Sequence, residues 1–182
     1  IRVGSRDFTE QLILGQIIVL LLEDAGYQVD DMTGLGGTNS AHDAIKAGEV
    51  DVIWDYIGTI LSESHGIPPI GLPADTNTAL EMARGLDAHH HELIWLTPTA
   101  FNDTYTMMIK PDVLSTKIGA SLASISDLAD FMNENDAPLT VCVENEFYAR
   151  GDGLYSMQEH YGFEFAQENL QIVAYDQLYE GP

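Results

Sequence analysis

The sequence has little positive charge, a single cysteine and no long apolar run. Its 182 residues include 7 Lys and Arg against 29 Asp and Glu, which gives a formal net charge of −22 at pH 7. A surface this acidic repels phosphate backbones and anionic lipid headgroups, so binding to nucleic acid or to a membrane surface is not expected. The same charge has a simpler explanation in solubility, including adaptation to high salt, and it leaves cations and zwitterions as natural small ligands.

The scarcity of cysteine and of long apolar runs excludes further classes of protein. Cys142, the single cysteine, cannot form a disulfide within the chain, and it lies in an alternating apolar pattern typical of a strand rather than of a catalytic nucleophile. The longest apolar run, residues 12–22, contains Gly15 and Gln16 and is shorter than the roughly 20 residues of a membrane span. The chain opens on a strand pattern without a signal peptide, which predicts a cytoplasmic protein or a processed mature chain.

The apolar content, 45% of the residues, is that of a chain with a packed core. Short apolar segments alternate with longer segments of helical period, which predicts an α/β fold with mostly parallel sheets. The expected strands are residues 1–4, 27–31, 50–54, 93–96, 105–109, 139–144 and 170–175. The expected helices are residues 7–26, 40–47, 57–65, 75–88, 126–135 and 153–161, with Asp7, Asp75 and Ser126 as N-caps.

The chain also carries signals of division into two parts. Proline and polar residues between Thr97 and Asp103 indicate a crossover between lobes. We therefore expect a first α/β lobe over residues 1–102 and a second over residues 103–182.

Several catalytic and cofactor motifs are absent from the sequence. The glycine-rich segments 34–39 and 151–156 lack a glycine that the dinucleotide fingerprint requires, and there is no Gly-x-Ser-x-Gly nucleophile elbow. The segment His89–Glu92 is more typical of an exposed helix end than of a metal site, because no second Cys/His cluster supplies the remaining ligands. No spacing of carboxylates singles out a catalytic pair. We therefore predict no catalytic residue, no cofactor and no metal.

Aromatic, hydroxyl and basic residues follow several expected strands. Ligands of open α/β sheets bind outside the carboxyl ends of strands, and Arg6, Tyr56, Thr59 and Arg150 lie in such positions, with Tyr105 beside the expected crossover. Isolated arginines in so acidic a chain suggest recognition of a carboxylate. The alternative, that each arginine only pairs with a neighbouring Asp or Glu, stays open on sequence geometry alone.

Six segments in this order resemble the glycine betaine/choline substrate-binding proteins of osmoprotectant ABC importers. The resemblance runs from residue 1 to about 180, and the set of segments is far more specific than any one of them. The segments are Gly4–Gln16, Gly34–Thr38, Gly48–Asp51, Asp55–Thr59, Asn102–Tyr105 and Glu146–Leu154. The resemblance implies a two-lobed, periplasmic-binding-protein-like (type II) α/β fold whose lobes close over a compatible solute in a cage of aromatic rings.

The resemblance also implies roles for individual residues. Arg6 stands where the family usually has lysine and is the expected carboxylate ligand, with Thr59 as its hydroxyl partner and Arg150 approaching from the second lobe. The other residues implied at the site are Tyr56, Tyr105 and, as a weaker match, Tyr179 for the cage rings, with Gln11 and Asp103 as lining residues. A trimethylammonium group cannot donate hydrogen bonds, so its site must offer aromatic faces.

Family members are longer and return to the first lobe beyond this point. The resemblance therefore implies that the second lobe is incomplete. The missing walls and the uncovered edge predict either weak betaine binding or self-association.

Together these features predict a non-enzymatic solute-binding protein of an ABC importer. The expected ligand is a quaternary-ammonium osmolyte, with glycine betaine first and choline, carnitine and proline betaine next, and the expected partner is a membrane permease. The expected location is extracytoplasmic, either periplasmic or tethered to the outer face of the cytoplasmic membrane. Two alternatives remain: a hydrolase or transferase that uses carboxylates in a cleft, and a ligand-sensing domain of a regulator or permease fusion.

Overall fold

The structure is a computed structural model that describes residues 1–115, 122–135 and 139–179, without the side chains of Asp176 and Tyr179. The chain divides into two compact units, Ile1–Leu96 and Thr97–Pro182. This boundary falls just before the segment in which the sequence pattern predicts a crossover.

The first unit begins with two βα pairs. They are β1 (Arg2–Gly4), α1 (Thr9–Asp24), β2 (Asp30–Met32) and α2 (Thr38–Lys46). β1 and β2 are parallel, with Arg2 opposite Asp30, and Val3 also forms a parallel bridge with Val52. The chain segments that follow β1 and Val52 therefore leave the sheet at the same edge.

The rest of the first unit is helical. α3 (Ile57–Thr59) continues directly into a π-helical segment, Ile60–Ser64, and α4 (Thr76–His90) follows after a short 3-10 helix at Pro69–Gly71. The apolar core joins the π-helical segment to α4 through Ile60, Leu61, Ala79 and Ala83. Asp75 caps α4 by accepting a hydrogen bond from the Thr78 N–H at 2.8 Å, which confirms the predicted cap.

The second unit again combines helices with one parallel strand pair. Its elements are α5 (Pro111–Val113), α6 (Ile125–Glu134), β3 (Val141–Glu144), α7 (Asn145–Ala149), α8 (Leu154–Tyr161) and β4 (Leu170–Val173), followed by a 3-10 helix at Tyr175–Tyr179. β3 and β4 pair with Val141 opposite Leu170. The buried core consists of Leu128, Ala129, Leu139, Val143, Leu154, Phe163 and Phe165.

Two predicted helix caps are wrong. α1 begins after Phe8, whose side chain makes no capping hydrogen bond, and not at Asp7. α6 begins at Ile125, and its cap residue is Ser124, two positions before the predicted cap Ser126. The Ser124 hydroxyl accepts from the Asp127 N–H at 3.1 Å, and the Asp127 carboxylate accepts from the Ser124 N–H at 2.9 Å, which is a complete capping box.

Three predicted strands are absent or reduced. Residues 93–96 and 105–109 form no strand, and residues 50–54 contribute only the bridge at Val52. Exposed and half-buried side chains do alternate in both segments: Ile94 and Met108 are exposed, at 86% and 71%, whereas Trp95, Met107 and Ile109 pack against the cores of their units. Burial of one face does not make a strand without a neighbouring strand to pair with, and these two segments form no strand pair in the described part of the chain.

Candidate functional site

A buried arginine and a buried aspartate lie where the first unit's strand ends meet. Arg6 follows β1, and Asp55 follows the bridge residue Val52. Arg6 Nη2 donates to Asp55 Oδ1 at 2.5 Å, and the two side chains are only 2% and 7% exposed. Such a pair is strongly favourable only when further hydrogen bonds satisfy the remaining carboxylate oxygen.

His42 provides that further contact. It lies on α2, and its Nε2 is 2.5 Å from Asp55 Oδ2. Its other ring nitrogen, Nδ1, is 3.0 Å from Ser64 Oγ at the end of the π-helical segment. The Tyr56 N–H also donates to Asp55 Oδ1 at 2.7 Å. Asp55 therefore ties the end of β1, α2 and the start of α3 together.

Tyr56 covers the arginine with its ring. The Arg6 guanidinium carbon lies 5.1 Å from the ring centroid, within the range of a cation–π contact. The Tyr56 hydroxyl donates to the Glu10 carboxylate, and Phe8 stacks beside the ring with centroids 6.4 Å apart. The ring is thus fixed at both its face and its hydroxyl. In this structure it already contacts a cation.

Two buried donors of this cluster have no hydrogen-bond acceptor among the described residues. They are Arg6 Nε and Gln11 Nε2. Gln11 is fully buried on α1, and its Oε1 lies 3.5 Å from the Arg6 backbone nitrogen, so the two donors belong to neighbouring side chains. Leaving a buried donor unpaired costs about 1–3 kcal/mol. The cluster is therefore suited to an additional acceptor such as a carboxylate.

Thr59 lies one helical turn after Tyr56. It is the last residue of α3, and its side chain is buried. Sequence patterns identified Arg6, Gln11, Tyr56 and Thr59. They did not identify the partners Asp55, His42 and Glu10. One feature of the sequence could have identified Asp55, namely its position directly before Tyr56. No sequence feature identified His42 or Glu10 as partners in the site.

The second unit holds a separate aromatic and basic cluster. Tyr105 is 56% exposed, and its ring centroid lies 4.7 Å from that of Phe147. The guanidinium carbon of Arg150 is 5.9 Å from the Tyr105 ring centroid. Arg150 Nε and Nη2 each donate to the Asp152 carboxylate at 2.7 Å, which is a bidentate pair.

For the other two predicted site residues, Asp103 and Tyr179, the structure gives only their position in the second unit. Asp103 is exposed in the segment before Tyr105. Tyr179 ends the last 3-10 helix, and its side chain lies outside the described residues. In both clusters the arginine pairs with an aspartate of the chain. The pairs expected under the alternative interpretation, in which each arginine only pairs with an Asp or Glu, are therefore present. Recognition of a ligand carboxylate stays a prediction.

None of the helices in the described part of the chain combines the length and the apolar character needed to cross a bilayer. 

Solved structures with the same fold define the class of protein. Apo YehZ from Escherichia coli aligns with a TM-score of 0.60 at 30% identity, over 96% of this chain and 60% of that one. The crystal structure of a glycine betaine/carnitine/choline ABC transporter protein aligns with a TM-score of 0.65 at 19% identity, over 99% and 63%. The fold is the α/β fold of periplasmic binding proteins, as the sequence predicts.

Sequence comparisons then identify the family. The model of the substrate-binding domain of ABC-type glycine betaine transport systems matches residues 1–180, so the chain belongs to this family. The glycine-betaine-binding protein of Pseudomonas aeruginosa is 33% identical over 176 residues, and the glycine betaine-binding protein YehZ of Escherichia coli is 30% identical over 177 residues. These alignments cover 94% and 96% of this chain but 54% and 55% of the relatives. The chain thus spans about half the length of the curated relatives that it matches.

Proposed function

We propose that the chain binds a quaternary-ammonium osmolyte and releases it unchanged. Glycine betaine is the first candidate, ahead of choline, carnitine and proline betaine. The observation that carries the proposal is the buried cluster in which Arg6 lies beneath the Tyr56 ring, and in which donors on Arg6 and Gln11 find no acceptor among the described residues. Membership of the glycine betaine family and the ligand named for its relatives support the same chemistry.

The two ends of glycine betaine require different partners. Its carboxylate is matched by the Arg6 guanidinium, whose Nη2 donates to Asp55 while its Nε has no acceptor in the part of the chain that the structure describes. Its trimethylammonium group has no N–H and needs aromatic faces, each worth roughly 0.5–2 kcal/mol. We assign this task to Tyr56 and Tyr105, with Arg150 as a second carboxylate ligand. Thr59, Asp103 and Tyr179 complete the proposed set.

The decisive experiment compares two ligands on one variant. Isothermal titration with glycine betaine and with choline, which lacks the carboxylate, is carried out on Arg6→Met and on the wild-type chain. Loss of a charge-assisted hydrogen bond should weaken glycine betaine by about 1.5–3 kcal/mol and choline far less. Equal weakening of both ligands would show that Arg6 acts only in the fold.

Two further variants control this experiment. Arg2 forms an exposed pair with Asp51, so Arg2→Met removes an arginine of the same pairing type without touching the cluster. Arg6→Lys keeps a cation at the position and tests whether the charge or the guanidinium geometry matters. We expect Arg2→Met to bind both ligands normally and Arg6→Lys to retain the preference for glycine betaine.

The proposed setting is extracytoplasmic, with an ABC permease as the partner that accepts the loaded protein. The family supports this assignment because its members are the binding domains of ABC-type transport systems. Uptake of labelled glycine betaine into vesicles that contain the cognate permease should depend on added chain. Uptake that is independent of the chain would favour the alternative of a sensing domain.

One structural feature favours the hydrolase alternative. Ser64, His42 and Asp55 form a hydrogen-bonded row with the residue types of a catalytic triad. However, Asp55 is already paired with Arg6, and the Ser64 hydroxyl meets Nδ1 of His42 rather than Nε2, the nitrogen that faces the serine in a catalytic triad. We assign the row to positioning Arg6. Hydrolysis of p-nitrophenyl acetate that Ser64→Ala abolishes would overturn this assignment.

A further inference from the structure

A second polar cluster lies at the C-terminal end of α4 in the first unit. Asp87 belongs to the last turn of α4, His91 is its C-cap residue, and His65 follows the π-helical segment. Asp87 Oδ1 lies 2.8 Å from His65 Nε2 and 3.0 Å from His91 Nδ1. The three ligand-type atoms all lie within 4.8 Å of one another.

This spacing is close to that of ligands which share one metal ion. Atoms at adjacent corners of a tetrahedron, with bonds of about 2.0–2.1 Å to the ion, are about 3.3 Å apart. Two of the three separations are slightly shorter than this value. Small rotations of the two imidazole rings would therefore make room for an ion among the three atoms.

The cluster is also buried and supported from outside. Asp87 is 1% exposed and His65 is 7% exposed, whereas His91 is 21% exposed and leaves one side accessible. The Trp95 indole N–H donates to the second carboxylate oxygen, Asp87 Oδ2, at 2.6 Å. Such a contact orients a metal-binding carboxylate and directs Oδ1 toward the imidazoles. The negative end of the helix dipole favours a cation at this position.

We propose that His65, Asp87 and His91 form a binding site for one divalent transition-metal ion. Two imidazoles with one carboxylate suit ions such as Zn²⁺, whereas Mg²⁺ and Ca²⁺ prefer all-oxygen ligands. A bound ion would fasten the π-helical segment, which begins directly after Thr59, to the end of α4. The proposal is independent of the osmolyte function.

The site uses only one residue of the histidine run at positions 89–91. His89 and His90 are exposed, as expected for a helix end, and only His91 turns toward Asp87. The missing ligands come from Asp87, four residues earlier, and from His65, which is distant in sequence.

Zn²⁺ titration of the chelator-treated and dialysed chain tests the proposal by calorimetry. We expect one Zn²⁺ per chain and no comparable heat with Mg²⁺. His65→Gln and His91→Gln should each weaken Zn²⁺ binding about tenfold or more. The His91 variant is the safer of the two because this side chain is partly exposed, and circular dichroism confirms that each variant is folded.

The double variant His89→Gln/His90→Gln is the matched control, since it removes the two imidazoles of the same run that are not proposed ligands. The His90 ring lies 6.0 Å from the His65 ring, centroid to centroid, so glutamine is chosen to retain a side chain there. Its Zn²⁺ affinity should equal that of the wild-type chain. Absence of Zn²⁺ binding to the wild-type chain would overturn the proposal. The same holds if the double variant loses the ion while folded His91→Gln keeps it, because the exposed run would then be the chelator.

Discussion

Arg6 Nη2 lies 2.5 Å from Asp55 Oδ1, and both side chains are almost fully excluded from water. Arg2 Nη2 and Asp51 Oδ1 are separated by the same 2.5 Å, but those side chains are 39% and 43% exposed. The two pairs differ in burial, and Asp55 also contacts His42 and the Tyr56 N–H. The two pairs therefore allow a comparison of how much a buried and an exposed ion pair contribute to the free energy of unfolding.

Asp55→Asn should lower the free energy of unfolding by about 3–5 kcal/mol, because it leaves the buried guanidinium of Arg6 without a countercharge. Urea unfolding followed by circular dichroism measures the change. Asp51→Asn is the control and should have a much smaller effect, since water solvates Arg2 once the partner is lost. Similar losses in both variants would contradict the importance of burial.

The exposed pair predicts how stability depends on acid. Hydrogen bonds from the Arg2 side chain and backbone lower the pKa of Asp51 to about 2. A depressed carboxyl pKa contributes stability above the unfolded value, roughly 3.9, and that stability is lost as the pH falls toward 2. Unfolding curves between pH 5 and pH 2 should show a smaller decline in Asp51→Asn than in the wild-type chain. Parallel declines in the two proteins would contradict this contribution of Asp51.

The capping box of α6 predicts a difference between two serines. Ser124→Ala removes the acceptor of the Asp127 N–H and should cost about 1 kcal/mol of stability. Ser126→Ala replaces an exposed residue inside the same first turn and should be close to neutral. Thermal unfolding of the two variants measures both effects. Equal losses would mean that the helix begins later than the structure shows.

Gly153 lies where α8 begins beside the backbone of α7. A Cβ atom at this position would lie 1.9 Å from the carbonyl oxygen of Phe147, so the backbone must shift to accept a side chain. Gly153→Ala should lower stability by about 1–3 kcal/mol. Gly151→Ala is the control, because a Cβ there meets no atom within 4 Å. A neutral Gly153 variant would show that the α7–α8 connection is loosely packed.

The ring of Tyr56 should matter more to ligand binding than its hydroxyl. Tyr56→Ala should weaken glycine betaine binding by roughly 0.5–2 kcal/mol, whereas Tyr56→Phe keeps the aromatic face and should weaken it much less. Tyr27→Ala, which removes an exposed ring elsewhere in the unit, should have no effect. Equal losses in the alanine and phenylalanine variants would mean that the contact with Glu10 carries the role of Tyr56.

Sequence patterns predicted the features that depend on contacts between residues close together in the chain. The helix with its cap at Asp75 was predictable because the capping side chain lies three residues from the N–H that it accepts. Arg6 was predictable as a strand-end residue. Its partners were not, because His42 and Asp55 are 36 and 49 residues away, and a sequence pattern carries no record of such pairings. The strand expected at residues 93–96 is absent for a related reason, since alternation does not show whether a partner strand lies beside it.

The contacts of Arg6 have a consequence for how the protein folds. Every partner named in its cluster, from Glu10 to Ser64, lies within the first unit, and the last of them precedes α4. Because domains generally fold as units, the cluster can close when the first unit folds, without a contact from the second unit. The arginine that we assign to carboxylate recognition can therefore be held in place by residues of the first unit alone.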